Sequence, residues 1–155
     1  GVEVASYTGD NRSQLVEQTL RRRTLWPNRK AVRQAWQHKP LFAPWHADSF
    51  DLYLQEGLRD TEDGQVELKC TPAVEAHIFA TTGSLDELDY APKVAVPVHF
   101  VHAAQGFFDE QFFRGVAKLF PRAQFSQMLA GHMLPLEQPA AVAEFLLNLP
   151  VLPEA

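Results

Sequence analysis

Few residues in this sequence are suited to acid–base or nucleophilic chemistry, and one stands out by its setting. His132 follows Gly131 at the head of Gly131-His132-Met133-Leu134-Pro135-Leu136-Glu137-Gln138-Pro139, between a segment of strand character and an amphipathic helix. An imidazole titrates near neutrality, so one presented by a tight turn can accept a proton from a hydroxyl. The plainer reading is a turn histidine that bonds a carbonyl or caps a helix. His102 reads as a loop residue at a strand end, and His99, inside the strand, as a satisfied core or interface histidine. His38, His46 and His77 lack metal-ligand spacing, so no metal site is expected. The single cysteine, Cys70, makes neither an internal disulfide nor a cysteine zinc site, and no oxidising compartment is implied.

Nucleophile and acid are harder to find. The serines are Ser6, Ser13, Ser49, Ser84 and Ser126, and none lies in a G-x-S-x-G run, the strand-to-helix elbow that presents a catalytic serine. Among carboxylates, Asp109 could orient an imidazole, but an aspartate opening a helix more often answers the helix dipole. Asp86 and Glu87 fit a capping box begun by Ser84, and Glu137 reads as a stabiliser of the last helix.

The elements that would hold these residues fall into two unlike stretches. Leu15, Val16, Thr19 and Leu20 form one helix face; Val32 and Trp36 form a second, with Pro27 in its first turn. Asp48 reads as the N-cap of a third helix carrying Phe50, Tyr53, Leu54 and Leu58. Gly57 marks its exit and Gly64 a turn, Val66 to Cys70 alternates as a short extended segment, and Thr71-Pro72 opens a helix to about Phe79. The aromatics Trp26, Trp36, Phe42, Trp45, Phe50 and Tyr53 crowd this stretch, either lining an apolar pocket or filling a core of their own. Then the pattern changes. A buried-type strand over 96–101, a helix with Phe112, Val116, Leu119 and Phe120, a strand over 124–129 and a helix from near Pro139 make a parallel strand–helix–strand–helix unit. Two strands are few for a parallel sheet, which is normally covered on both faces, so strand 96–101 wants a neighbour. The division expected is 1–93 and 94–155.

Bulk properties narrow the class. The chain has 155 residues, 46% hydrophobic and 21% charged, about one ordinary domain and far from the disordered class. Lys plus Arg is 14 against 19 Asp plus Glu, a net charge of −5, and the one basic cluster, Arg21-Arg22-Arg23, is too short to suggest a nucleic-acid partner. The apolar runs are too short for a membrane span. Gly-Val-Glu-Val-Ala does not read as a signal peptide, and a cytoplasmic location is expected. The sequence opens at Gly1 with no initiator Met, compatible with processing, trimming or a longer chain.

The run from Val96-Pro97-Val98-His99-Phe100-Val101 through Gly131-His132-x-x-Pro135-x-Glu137-x-Pro139 resembles the end of an α/β-hydrolase. The first half, with Arg21-Arg22-Arg23-x-x-Trp26-Pro27 and Glu67-Leu68-Lys69-Cys70-Thr71-Pro72, resembles the helical cap such enzymes insert before their last strands. The fold class implied is α/β: the C-terminal part of an α/β-hydrolase with a helical cap, helix-rich with two parallel core strands. The resemblance implies hydrolysis of an ester or similar small acyl substrate, with no cofactor. His132 would be the general base, and serine and oxyanion loop would come from a missing N-terminal half. The family's G-x-x-D acid position holds Gly106 here. Asp109 or Glu110 would substitute in a remodelled loop, or the acid would come from the strand upstream of the cap. An aspartate nucleophile, as in epoxide or haloalkane hydrolysis, stays open. So does a different class, a non-catalytic interaction module or degenerate remnant that self-associates.

Overall fold

The computed structural model describes residues 9–81 and 86–149. Its first stretch is built around aromatic packing. Helix α1 (Gly9–Leu20) is followed by the two-residue strand β1 (Leu25–Trp26), α2 (Arg29–Trp36) and α3 (Ala47–Glu56). Two helix starts differ from those expected. Pro27, expected in the first turn of α2, precedes the helix, and Asn28 caps it, its side chain accepting from Ala31 N at 2.9 Å. His46, not Asp48, caps α3, and Asp48 sits in the first turn, where its charge suits the dipole. Gly57 does close that helix, and Leu58 begins β2 (Leu58–Asp60) instead of extending it.

Strand β2 turns back into β3 (Val66–Leu68) through Gly64, at φ +74°, a left-handed conformation that glycine adopts without steric cost. β3 lies between β1 and β2, antiparallel to both, with Trp26 opposite Val66 and Leu58 opposite Leu68. Helix α4 (Pro72–Thr81) begins at the expected cap, Thr71, whose hydroxyl accepts from Val74 N at 3.4 Å. It packs beside α1, and Arg22, just past the end of α1, makes an ion pair with Glu75 of α4. The capping box expected at Ser84 lies outside the described residues.

Trp26, Val32, Trp36, Phe42, Trp45, Phe50, Leu54, Leu58, Val66 and Leu68 form one buried cluster. Trp36 stacks on Phe42 with centroids 5.2 Å apart and meets Trp26 edge-on at 5.9 Å, while Trp45 meets Phe42 edge-on at 5.0 Å. The aromatics therefore fill the core of this layer. Fully burying large apolar side chains contributes about 1.5–3 kcal/mol each, which lets so small a layer hold together.

A 3-10 helix (Asp86–Lys93) leads to the second layer. Here β4 (Val98–Gln105), α5 (Glu110–Ala117) and β5 (Ala123–Gly131) form the expected parallel crossover, and α6 (Leu134–Glu137) and α7 (Pro139–Leu147) close the chain. The strands pair in register from Val98 opposite Ala123 to Ala103 opposite Met128, with an irregularity before Gln105 meets Gly131. Both strands begin two residues or one residue from where the pattern put them and run longer, because ladder pairing carries the backbone past the apolar run. No residue of α7 is fully buried, and among the described residues β4 pairs only with β5.

Candidate active site

In a parallel sheet, the carboxyl ends of the strands open onto the loops that bind and react. In this sheet Gln105 and Gly131 end β4 and β5 side by side, and His132 follows immediately. A Cβ added to Gly106 would lie 3.7 Å from the His132 Cα, so the loop after β4 and the turn after β5 touch. The His132 ring is exposed, stacked on Phe107 (centroids 4.5 Å) and tilted against Phe108 (5.6 Å). It lines a mostly apolar cavity of about 410 Å³ with Phe108, Phe113, Phe145, Leu134 and Val142. No hydrogen bond holds the ring among the described residues, so neither a carbonyl contact nor a cap occupies it.

The turn that carries His132 is held by Glu137. Its Oε2 accepts from Gly131 N at 2.6 Å and its Oε1 from Met133 N at 3.1 Å, so one carboxylate fastens the amides on both sides of the imidazole. This is a charge-assisted pair of bonds. It explains the glycine: a Cβ at position 131 would fall 2.6 Å from Oε1. Sequence reading took Glu137 for a helix stabiliser. Its spacing from Gly131 and Met133 was visible, but only the fold of α6 turns the side chain back onto them. The same turn touches the aromatic layer, with Met133 and Leu136 packed against that core and His46 N donating to Leu136 O at 2.9 Å.

Asp109 does the work of a helix opener. Its Oδ1 accepts from Gln111 N at 2.5 Å as the N-cap of α5. Glu110, beside it, bonds Arg114 and Gln127, and the Arg114 hydrogen bond holds its carboxyl below the usual range. No carboxylate contacts the His132 ring among the described residues.

The other histidines separate from the expectations in instructive ways. His102 is not a loop residue: it lies within β4, 7% exposed, between the rings of Phe113 and Phe125. The alternation of Phe100 and His102 on one face was the available signal, missed because the strand runs past 101. His99 bonds Ser126 Oγ through Nε2 at 2.8 Å and meets Phe145 edge-on, but its Nδ1 is buried with no partner among the described residues, so it is only half satisfied. Ser126 stands in mid-strand, its backbone part of the β4–β5 ladder. Tyr53, in the aromatic layer, has its phenol pushed up by burial. The aromatics of that layer do not line the cavity. Among the described residues no cluster of three or more His, Cys, Asp or Glu is placed to hold a metal, and no helix is long and apolar enough to cross a membrane.

No protein-family model matches the chain, and no curated protein matches it in sequence. Solved structures do match its fold. An E-2-(acetamidomethylene)succinate hydrolase superposes with a TM-score of 0.74 at 17% identity, covering 92% of this chain and 53% of its own. A peroxisomal α/β-hydrolase of Saccharomyces cerevisiae gives 0.71 at 14% identity, covering 99% and 47%. An esterase of Mycobacterium tuberculosis gives 0.60 at 15%, covering 88% and 46%. The chain has the fold of the C-terminal part of α/β-hydrolases and spans about half the length of these structures.

Proposed function

We propose that this chain supplies the general base and the helical cap of a serine-type hydrolase acting on an ester or similar small acyl compound. His132 carries the reading: an exposed imidazole at the carboxyl end of a parallel strand, fastened by its backbone and facing an apolar cavity. Such a ring takes the proton of an attacking hydroxyl and returns it to the leaving group, which requires no cofactor. Residues 1–93 would form the cap and 94–155 the part that bears the base.

The nucleophile comes from another segment, an N-terminal half that pairs with the open edge of β4 and covers α7. The orienting acid comes from that half too, since Asp109 is engaged at Gln111 N. We assign the activity to the cytoplasm, on the single cysteine. The experiment is paired. The isolated chain should show no serine labelling by a fluorophosphonate, whereas the chain joined to a segment bearing G-x-S-x-G should be labelled and hydrolyse a nitrophenyl ester. His132→Gln should then lower kcat about 10³-fold or more, in line with loss of a triad member, and Asp109→Asn should leave it nearly unchanged. Labelling of Ser126 in the isolated chain, or full activity of His132→Gln, overturns the reading.

Gly106 favours a second reading. A glycine where relatives carry the acid is what a non-catalytic module or degenerate remnant would show, and such a chain would self-associate through the β4 edge. Retention of nitrophenyl esterase activity by the joined protein excludes it.

A further inference from the structure

Beneath the loop that flanks His132 a polar chain that the proposed reaction does not use runs from the surface residues Arg114, Glu110 and Gln127 to the buried His102. His102 Nε2 lies 3.0 Å from Phe108 O, and a carbonyl only accepts, so Nε2 carries the ring proton. The bare Nδ1 then faces the side-chain nitrogen of Gln127 at 3.3 Å, which also donates to Glu110 Oε2 at 3.1 Å. Glu110 Oε1 in turn accepts from Arg114 Nε at 2.6 Å. Donors and acceptors alternate without a conflict from Arg114 to the Phe108 carbonyl. This fixes the tautomer of His102 and aims its one N–H at one backbone oxygen. Phe113 packs against both His102 (5.8 Å) and Phe108 (5.7 Å), so the ring and the carbonyl it holds share a wall.

We propose that His102 is a positioning residue for His132, acting through the Phe108 carbonyl to set the aromatic collar in which the His132 imidazole stands. In the loop between β4 and α5, Gly106 N bonds Ala103 O at 2.9 Å, Phe108 packs on Phe113, and Phe107 is 75% exposed. Phe107 and Phe108 are nevertheless the residues whose rings meet His132. The part-buried hydrogen bond from His102, one residue from Phe107 and on Phe108 itself, is a directed anchor for both rings. This inference rests on the hydrolase reading for its purpose, but not for its test.

Two conservative substitutions decide it by proton NMR of the intact chain, with the His132 ring signals identified by their loss in His132→Gln. Stacked on Phe107, the ring protons should lie upfield of those of a solvent-exposed histidine. His102→Gln extends an amide N–H to about the place of Nε2 and should retain the upfield shift. His102→Asn reaches only the place of Nδ1, loses the Phe108 bond, and should lose the shift. The spectrum of the tryptophan core, of which His102 is not a member, should be the same in both. Any other pattern, with both variants keeping the shift, both losing it or the order reversed, overturns the proposal. Because hydrolysis is not measured, failure here leaves the role of His132 standing, and failure of that role leaves this result unaffected.

Discussion

The two layers of this molecule solve the problem of burial in opposite ways. Residues 26–68 place ten large or medium apolar side chains in one closed cluster, with Val32 and Leu58 sealed from solvent altogether. The β4–α7 layer is comparably apolar, yet most of its strand residues are half-buried, and Leu146 and Leu147 of α7 are 58% and 86% exposed. The first layer is self-sufficient; the second holds the candidate chemistry on a framework whose outer surfaces lack cover among the described residues. Placement of His132 therefore draws on directed polar contacts, Glu137 on the backbone and His102 under the collar, beside the packing of Met133 and Leu136 on the aromatic core.

The sharpest way to break this contrast is to remove one aromatic from each layer. Trp36→Ala opens a hole between Trp26, Phe42 and Tyr53 and should cost about 3–5 kcal/mol by denaturant melting, with loss of near-ultraviolet dichroism. Phe145→Ala, on the open side of the sheet, should cost about 1–2 kcal/mol because it already keeps part of its exposure. Equal losses would mean that the second layer is as tightly packed as the first.

Next in size is the backbone fastening. Glu137→Ala strands two amide donors and should cost about 1–3 kcal/mol, read as faster hydrogen exchange at Gly131 and Met133. Gly131→Ala should act in the same direction by forcing the carboxylate away. The double variant should fall short of the sum, since both changes undo the same two bonds. Additive losses would show that the glycine serves something other than the carboxylate.

These outcomes bear on what was legible in the residues alone. The parallel crossover was, because the apolar runs around Val98 and Phe125 and the helix faces between and after them repeat at the right periods. So was the unusual setting of His132. The strands β1 and β2 were not: at two and three residues they exist only because β3 pairs with both, a long-range fact with no local period. The cap at His46 was missed because Asp48, a residue of ordinary capping type, stood two positions on, and the start of α2 because Pro27 suits a first turn as well as the residue before a cap. The Glu137 clamp and the burial of His102 depend on a chain reversal and a strand length that are set by tertiary pairing.

The smallest effects compare the layers electrostatically. Asp60, in the aromatic layer, is held below the usual carboxylate range chiefly by its hydrogen bond from Arg29, and Glu110, under the second, chiefly by that from Arg114. A depressed folded-state value adds stability above the unfolded value and loses it as pH falls through the folded one. Arg29→Ala and Arg114→Ala should each raise the partner's titration by carbon-detected NMR toward the ordinary 3.8 and 4.5. Both pairs are exposed, so the change in melting at neutral pH should be slight, and a large one at either would point to a wider charge network.

The bareness of α7 also changes how this chain must be judged at the bench. Dyes that brighten on contact with apolar surface are commonly taken to report a loosened, molten state. Here Leu146, Leu147 and the strand face beside them offer such a surface in the folded molecule itself. Bright dye emission with intact tryptophan dichroism would thus be a property of the correctly folded chain, and fading of that emission on mixing with a second polypeptide would report the surface being covered.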